Sequence, residues 1–290
     1  MMGGAISRAL VVFMLFASFW PSLASAQEPP PSPQTVNLWP NGAPGSEALR
    51  NEPEIARDYW VRNVHNPSLT IFRPARQNGA AVIVIPGGAH KLIVWTSEGL
   101  NVGRALSRYG LTVFVLKYRL FREDGSHYTV DDATGDVRRS IRWVRAHASD
   151  YGVDPRRVGI MGFSAGGELV SLVADYRDAL PRTERDPVDR FSDRPDFQVL
   201  VFPGPLGVPA NDVSNAPPAF LVAGTLDDCC AAPAVALYEQ LRSAKRSAEL
   251  HMYSGAAHAF NLDESNRVSI IHWPDRLADW LADEGLLTGK

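Results

Sequence analysis

The chain has 290 residues, with 29 Lys and Arg against 32 Asp and Glu, a net charge of −3, and both signs scattered along its length. That balance argues against nucleic-acid or anionic-membrane partners, which need clustered positive charge. The two cysteines are adjacent and no Cys-x-x-Cys or histidine-rich spacing marks a metal site, so neither metal nor cofactor is expected; the length suits one α/β domain with a single large core.

Residues 1–26 read as a signal peptide: a short positive start ending at Arg8, an apolar run from Ala9 to Trp20, and the small-residue end Ala24-Ser25-Ala26. The run is short for a membrane span, so the mature protein is expected to be secreted or periplasmic and free of the membrane; an uncleaved anchor is the competing reading. Residues 27–52 read as a Pro-rich spacer and N-terminal extension, with Pro29, Pro30, Pro31 and Pro33 favouring extended chain and turn residues at 41–45. Residues 53–290 are expected to form the main domain.

Within it, Leu69 to Phe72 predicts an early strand, and Ala80 to Ile85, a continuous apolar run stopped by Pro86-Gly87-Gly88, predicts a strand buried on both faces. A helix is expected from Glu98 to Tyr109, a strand from Leu111 to Leu116, and a helix from Val130 to Ala148 with Ala133, Val137, Ile141, Val144 and Ala148 on one stripe. Further strands follow at Phe197 to Phe202, Ala219 to Ala223 and Glu249 to Tyr253, with helices at Ala234 to Ala244 and Trp273 to Leu286. This alternation predicts an α/β fold, a mainly parallel sheet with helices on both faces. No stretch is long enough for a large lid domain; the polar insertion Tyr176 to Asp196 is the only candidate flap.

Between those elements a short apolar run from Val158 ends in Gly162-Phe163-Ser164-Ala165-Gly166, and a helix-compatible run, Glu168 to Ala174, follows. A serine at the tip of so tight a strand–turn–helix is a raised, exposed hydroxyl, and the two glycines are needed where side chains would strike the flanking elements. A glycine-rich turn with an ordinary serine is the plainer alternative. A serine nucleophile needs a base, and the base an acid. In a parallel sheet these belong on loops at the carboxyl ends of strands. His258, in the small-residue loop after the Glu249 to Tyr253 strand, is the best-placed histidine; His251 and His272 fall inside elements and His147 at a helix end. The acid is expected in the loop after Ala223, where Asp227 is favoured over its neighbour Asp228. Backbone amides of Gly88 or Ala89, together with that of Ala165, are the candidate oxyanion donors.

These features resemble the small α/β-hydrolase esterases that include secreted carbohydrate acetyl esterases, often described as acetylxylan esterase-like. The likeness rests on Leu38-Trp39-Pro40-Asn41-Gly42-Ala43-Pro44-Gly45, Asn63-Val64-His65-Asn66-Pro67-Ser68-Leu69, Pro86-Gly87-Gly88, Val115 to Leu120, Gly159 to Gly167, and Trp273-Pro274-Asp275-Arg276. It implies Ser164, Asp227 and His258 as a triad and short acyl esters, commonly acetyl groups on polysaccharide sugars, as substrates. Two positions depart from the family pattern: Ala89-His90 stands where relatives carry a third glycine and an aromatic, and Glu168 where many carry histidine. Both read as neutral local variations, with a change to the acyl pocket as the competing reading. A small-molecule ester or acetylated oligosaccharide is thus the expected partner. A peptidase of related fold lacks room here for a cap, and a non-catalytic binding protein would be expected to lose a triad member. The vicinal Cys229-Cys230 is open to two readings, a disulfide stiffening the acid loop or two reduced thiols.

Overall fold

The computed structural model describes residue 1 and residues 32–175, 186–210, 212–262 and 267–287. The expected leader beyond Met1, the spacer prolines at 29–31 and residues 176–185 of the candidate flap lie outside the described residues.

The strands are β1 (Gln34–Asn37), β2 (Ile55–Arg57), β3 (Trp60–Arg62), β4 (Ser68–Phe72), β5 (Ala81–Ile85), β6 (Ile93–Val94), β7 (Thr112–Lys117), β8 (Val158–Phe163), β9 (Gln198–Val201), β10 (Ala219–Gly224) and β11 (Ala248–Tyr253). The helices are α1 (Asn101–Ser107), α2 (Val130–Ala146), α3 (Ala165–Ala174), α4 (Ala231–Ser243), α5 (Val268–Ile271) and α6 (Trp273–Asp283). Among the described residues eight strands form one sheet in the order β1-β4-β7-β5-β8-β9-β10-β11, and β2-β3-β6 form a small second sheet. β1 and β4 run antiparallel to their neighbours, whereas every pairing from β7 through β11 is parallel.

The central strands are buried on both faces. Ala81, Ile83 and Ile85 of β5 and Phe114 and Leu116 of β7 point into one core, shared with Val137, Ile141 and Val144 of α2 and Leu169 of α3. The intervening Val82, Val84, Val113 and Val115 point into the other, with Val102 and Leu106 of α1 and Trp273, Leu277 and Trp280 of α6. Period-two alternation therefore divides one apolar run between two helical layers, and a continuous apolar strand is the sequence form this requires.

Three local differences from the sequence reading have physical causes. The extension is part of the main sheet at its front: Gln34 to Asn37 pairs with Ile71 to Ser68, and Leu38 is fully buried. The expected helix from Glu98 opens with a wide π turn, Thr96–Leu100, before α1. The helix after the elbow begins at Ala165 and not at Glu168, because Gly166 and Gly167 pack where no side chain fits, and that packing outweighs their poor helix propensity.

The described part of the 176–196 insertion is fastened to α2. Asp186 and Asp189 accept hydrogen bonds from Arg139 at 2.7 to 3.0 Å, and Arg142 pairs with Asp193. A second buried ion pair ties α2 to the chain after β7: Arg119 Nη2 lies 2.6 Å from Asp136 Oδ1, and Arg119 Nη1 donates to the Pro44 carbonyl at 2.8 Å. The N-terminal turn is thus held by the Lys117-Tyr118-Arg119-Leu120 segment.

The order of strands creates one particular crevice. From β5 the chain leaves toward β7 on one side, and from β8 it leaves toward β9 on the other, so β5 and β8 are neighbours whose following loops part in opposite directions. In open parallel sheets that parting, at the carboxyl ends of the strands, is where ligands bind. Ser164 immediately follows β8.

Candidate active site

The turn after β8 is as tight as its glycines suggest. A Cβ on Gly162 would lie 2.2 Å from the Gly166 carbonyl oxygen, and one on Gly166 would lie 1.9 Å from that of Ile85 on the adjacent strand. Ser164 itself has φ 49° and ψ −117°, outside the regions ordinary residues populate, as expected of a serine held at the apex of such a turn. It is half-buried, and its bond to His258 lies at the exposed surface.

Ser164 Oγ lies 3.0 Å from His258 Nε2, and His258 Nδ1 lies 2.8 Å from Asp227 Oδ2. The carboxylate accepts only, so Nδ1 carries the ring proton and Nε2 is left to accept from the serine hydroxyl. The other carboxylate oxygen, Asp227 Oδ1, accepts from the amides of Cys229 and Cys230 at 3.2 and 3.0 Å. Asp227 is 3% exposed, whereas Asp228 is exposed, which separates the two candidates. Phe202 packs in a T-shaped arrangement with the His258 ring, the centroids 4.9 Å apart.

The other histidines are engaged elsewhere. His251 pairs with Glu249, His272 with Asp275, His147 bonds the Trp143 carbonyl, His65 bonds Tyr128, and His127 lies against the Tyr128 ring. The residues brought together across 94 positions of sequence are those named from the strand-end loops.

The loop after β5 runs beside the serine: a Cβ on Gly87 would lie 2.9 Å from that of Ser164. Among the described residues the amides of Gly88 and Ala89 have no protein acceptor, and Ala165 opens α3, where an amide has no partner within the helix. Gly88, Ala89 and His90 have φ of +125°, +56° and +60° in succession. Two non-glycine residues in that region are held there only when their surroundings fix them.

Four contacts do the fixing. Glu98, buried in the π turn, accepts from the Gly87 amide at 2.6 Å. Tyr118 donates its hydroxyl to the Pro86 carbonyl at 2.9 Å, and burial beside Glu98 and Glu168 holds that phenol far above its ordinary pKa, so it stays a donor. The Leu92 amide bonds the Gly88 carbonyl. Lastly, His90 Nε2 donates to Glu168 Oε2 at 2.6 Å, with His90 fully buried and stacked on Phe121. Glu168 Oε1 also accepts from the Leu206 amide at 3.1 Å.

The two departures noted in the sequence are therefore one feature. His90 and Glu168 are hydrogen-bonded partners that join the loop after β5 to the first turn of α3. Sequence reasoning missed the pairing, and missed Glu98 and Tyr118 altogether; the one available signal was that both unusual residues occur in the same chain. Their effect is positional. His90→Ala leaves a buried carboxylate short of its partner and frees the loop, so kcat for any reaction at Ser164 is expected to fall by about ten- to a hundredfold with KM little changed, while Glu168→Gln, which retains an acceptor, is expected to lose less. Steady-state kinetics of both variants checks this; a loss confined to KM would contradict it.

Asp227, Cys229, Cys230 and His258 bring potential metal-ligating atoms within 4.8 Å of one another, but the two cysteines are joined as a disulfide. A cleft of about 510 Å³ lies elsewhere, between the N-terminal turn and α2, lined by Trp39, Arg119 and Arg139 and not by Ser164. No helix among the described residues is long and apolar enough to cross a membrane.

Comparison with known proteins adds two family matches in tandem. The BD-FAE family matches residues 69–199, and the dienelactone hydrolase family matches residues 196–280. An acetylxylan esterase of Xylanibacter ruminicola is 32% identical over 135 residues, which is 47% of this chain and 25% of that protein. A probable carboxylic ester hydrolase, LipM, of Mycobacterium tuberculosis is 32% identical over 165 residues, 48% of this chain and 35% of that one. The chain thus spans about a quarter to a third of the length of these relatives. Among solved structures, an acetyl ester-xyloside bifunctional hydrolase from Caldicellulosiruptor lactoaceticus superposes with a TM-score of 0.71 at 25% identity, covering 89% of this chain and 98% of that one. Esterase 2 of Thermogutta terrifontis superposes at 0.69 with 21% identity, over 90% and 97% of the two chains.

Proposed function

We propose that this chain, an α/β-hydrolase by its fold and similar to carboxylic ester hydrolases in sequence, is a serine esterase in which Ser164, His258 and Asp227 act as the triad. The observation that carries the proposal is the unbroken hydrogen-bond chain from Ser164 Oγ through His258 to Asp227, at 3.0 and 2.8 Å, beside the switch point of the sheet.

In this reading Ser164 attacks the ester carbonyl while His258 Nε2 takes its proton and passes it to the leaving alcohol. Water then repeats the exchange on the acyl-enzyme. Asp227 holds the tautomer and stabilises the imidazolium, and its own second oxygen is held by two backbone amides. The amides of Gly88, Ala89 and Ala165 receive the oxyanion, with the positive end of α3 behind them.

For the substrate, the reading is a short acyl ester, acetyl above all, on carbohydrate, met by an exported enzyme. Support comes from the leader pattern at residues 1–26 and from the names of two similar proteins, an acetylxylan esterase and an acetyl ester-xyloside hydrolase. It comes also from the described part of the 176–196 insertion, which is polar and tied down on α2. Without an apolar cover among the described residues, added methylenes gain little of the roughly 0.8 kcal/mol each brings when fully buried. Hydrolysis rates on nitrophenyl esters from acetyl to octanoyl, together with acetate release from acetylated xylan, test this. Acetyl is expected to give the highest kcat/KM; a steady rise to octanoyl with no acetate released would make it a general lipolytic esterase.

A further inference from the structure

The proposed mechanism uses the backbone of Cys229 and Cys230 and leaves their sulfurs without a role. The two are bonded to each other; Cys229 is exposed and Cys230 fully buried. Cys229 Sγ lies 4.0 Å from His258 Nδ1, and one atom each from Asp227, Cys229, Cys230 and His258 falls within 4.8 Å of the others. A tetrahedral ion bonded to sulfur at about 2.3 Å and to imidazole nitrogen at about 2.0 Å gathers its ligands over a similar span. In the oxidised protein two things oppose such an ion: the sulfurs are bonded to each other and are not thiolates, and Nδ1 carries the proton held by Asp227.

From this geometry we infer that Cys229, Cys230, His258 and Asp227 form a redox-gated site for a thiophilic divalent cation, Zn²⁺ or Cd²⁺, and that filling it stops hydrolysis. Two molecules of a small thiol open the site. The first, as thiolate, attacks the exposed Cys229 Sγ and the Cys229–Cys230 bond breaks, Cys230 leaving as thiolate; the second attacks the sulfur of the first in the mixed disulfide, and Cys229 leaves as thiolate. The two small thiols leave as their disulfide, oxidised by two electrons, and the cysteines gain those electrons with two protons. The cation then binds both thiolates, His258 Nδ1 and an Asp227 oxygen; the two thiol protons go to solvent, and the ring proton passes from Nδ1 to Nε2, so that His258 ligates as a neutral imidazole. Two thiolates with an imidazole select Zn²⁺ or Cd²⁺ over Mg²⁺ or Ca²⁺, which prefer oxygen ligands alone. With the cation on Nδ1 and the ring proton on Nε2, no lone pair remains to take the Ser164 proton. Binding at the site stands independently of the esterase reading; its effect on hydrolysis rests on it.

The test reduces the purified protein with a phosphine, which is oxidised to its oxide, removes the reagent anaerobically, and titrates Cd²⁺ while following the thiolate-to-cadmium absorption and the heat of binding. Reduced wild type is expected to bind one Cd²⁺ per chain and oxidised wild type none, with the absorption lost in Cys229→Ser. Acetyl ester hydrolysis by the reduced protein is expected to fall on the order of a hundredfold or more when Cd²⁺ is added, the scale of losing a general base, and to return with a chelator. Binding that is equal in oxidised and reduced wild type, or absent from both, overturns the site. Binding as expected without a change in hydrolysis overturns the switch, and binding as expected in a protein that hydrolyses no ester in either state leaves the site standing and removes the esterase reading.

Discussion

Ser164→Ala is expected to fold as the wild type does and to lose ester hydrolysis by a factor on the order of 10⁵ or more in kcat, the scale seen when a triad nucleophile is removed. The fold does not depend on the hydroxyl, whose one hydrogen bond among the described residues is to His258. Alanine would still have to adopt φ 49° at the turn, a strain the wild-type serine already bears. Circular dichroism and thermal unfolding alongside the kinetics separate a chemical effect from a folding one. Activity within tenfold of wild type would remove Ser164 from the reaction.

The second large effect concerns the acid. Asp227→Asn is expected to lower kcat by about 10⁴, because an amide nitrogen facing His258 favours the tautomer with its proton on Nε2, where Ser164 needs an acceptor. Asp228→Asn, at an exposed neighbour, is expected to change the rate by no more than about twofold, the ordinary range of a surface substitution. A matched pair of adjacent substitutions is informative because loop disruption would affect both alike. Equal losses would point to the loop and not to the carboxylate, and the reverse order would move the acid to Asp228.

The sheet and the site were legible in the sequence to different depths. β5, β7 and β8 stand out because a strand buried on both faces must be apolar throughout, and because each ends in a Gly, Pro or polar break. β1 and the small β2-β3-β6 sheet did not stand out. They are two to four residues long and partly exposed, and are defined by pairing with distant chain, as Thr35 is with Thr70. Ser164, His258 and Asp227 could be placed because each follows a recognisable strand. Asp227 is favoured over Asp228 by its place in the loop after Ala223, and the structure adds the burial that sets it apart from its exposed neighbour. The bracing of the 86–90 loop lay further out of reach, since His90 and Glu168 are 78 residues apart and neither belongs to a repeating pattern. Glu98 was hidden for another reason: on an expected helix a glutamate is an ordinary surface residue, and only the π turn carries it inward to the Gly87 amide.

The most direct measurement is covalent trapping of the nucleophile. A nitrophenyl phosphonate resembles the tetrahedral intermediate and transfers its phosphonyl group to a serine that has both a base and oxyanion donors around it. After incubation with the wild-type protein, peptide mass spectrometry is expected to find a single adduct on Ser164, formed in step with loss of ester hydrolysis and much slower in Asp227→Asn. An adduct on another residue that abolishes activity, or full inactivation with Ser164 unmodified, would contradict the assignment of Ser164, His258 and Asp227 as one catalytic unit.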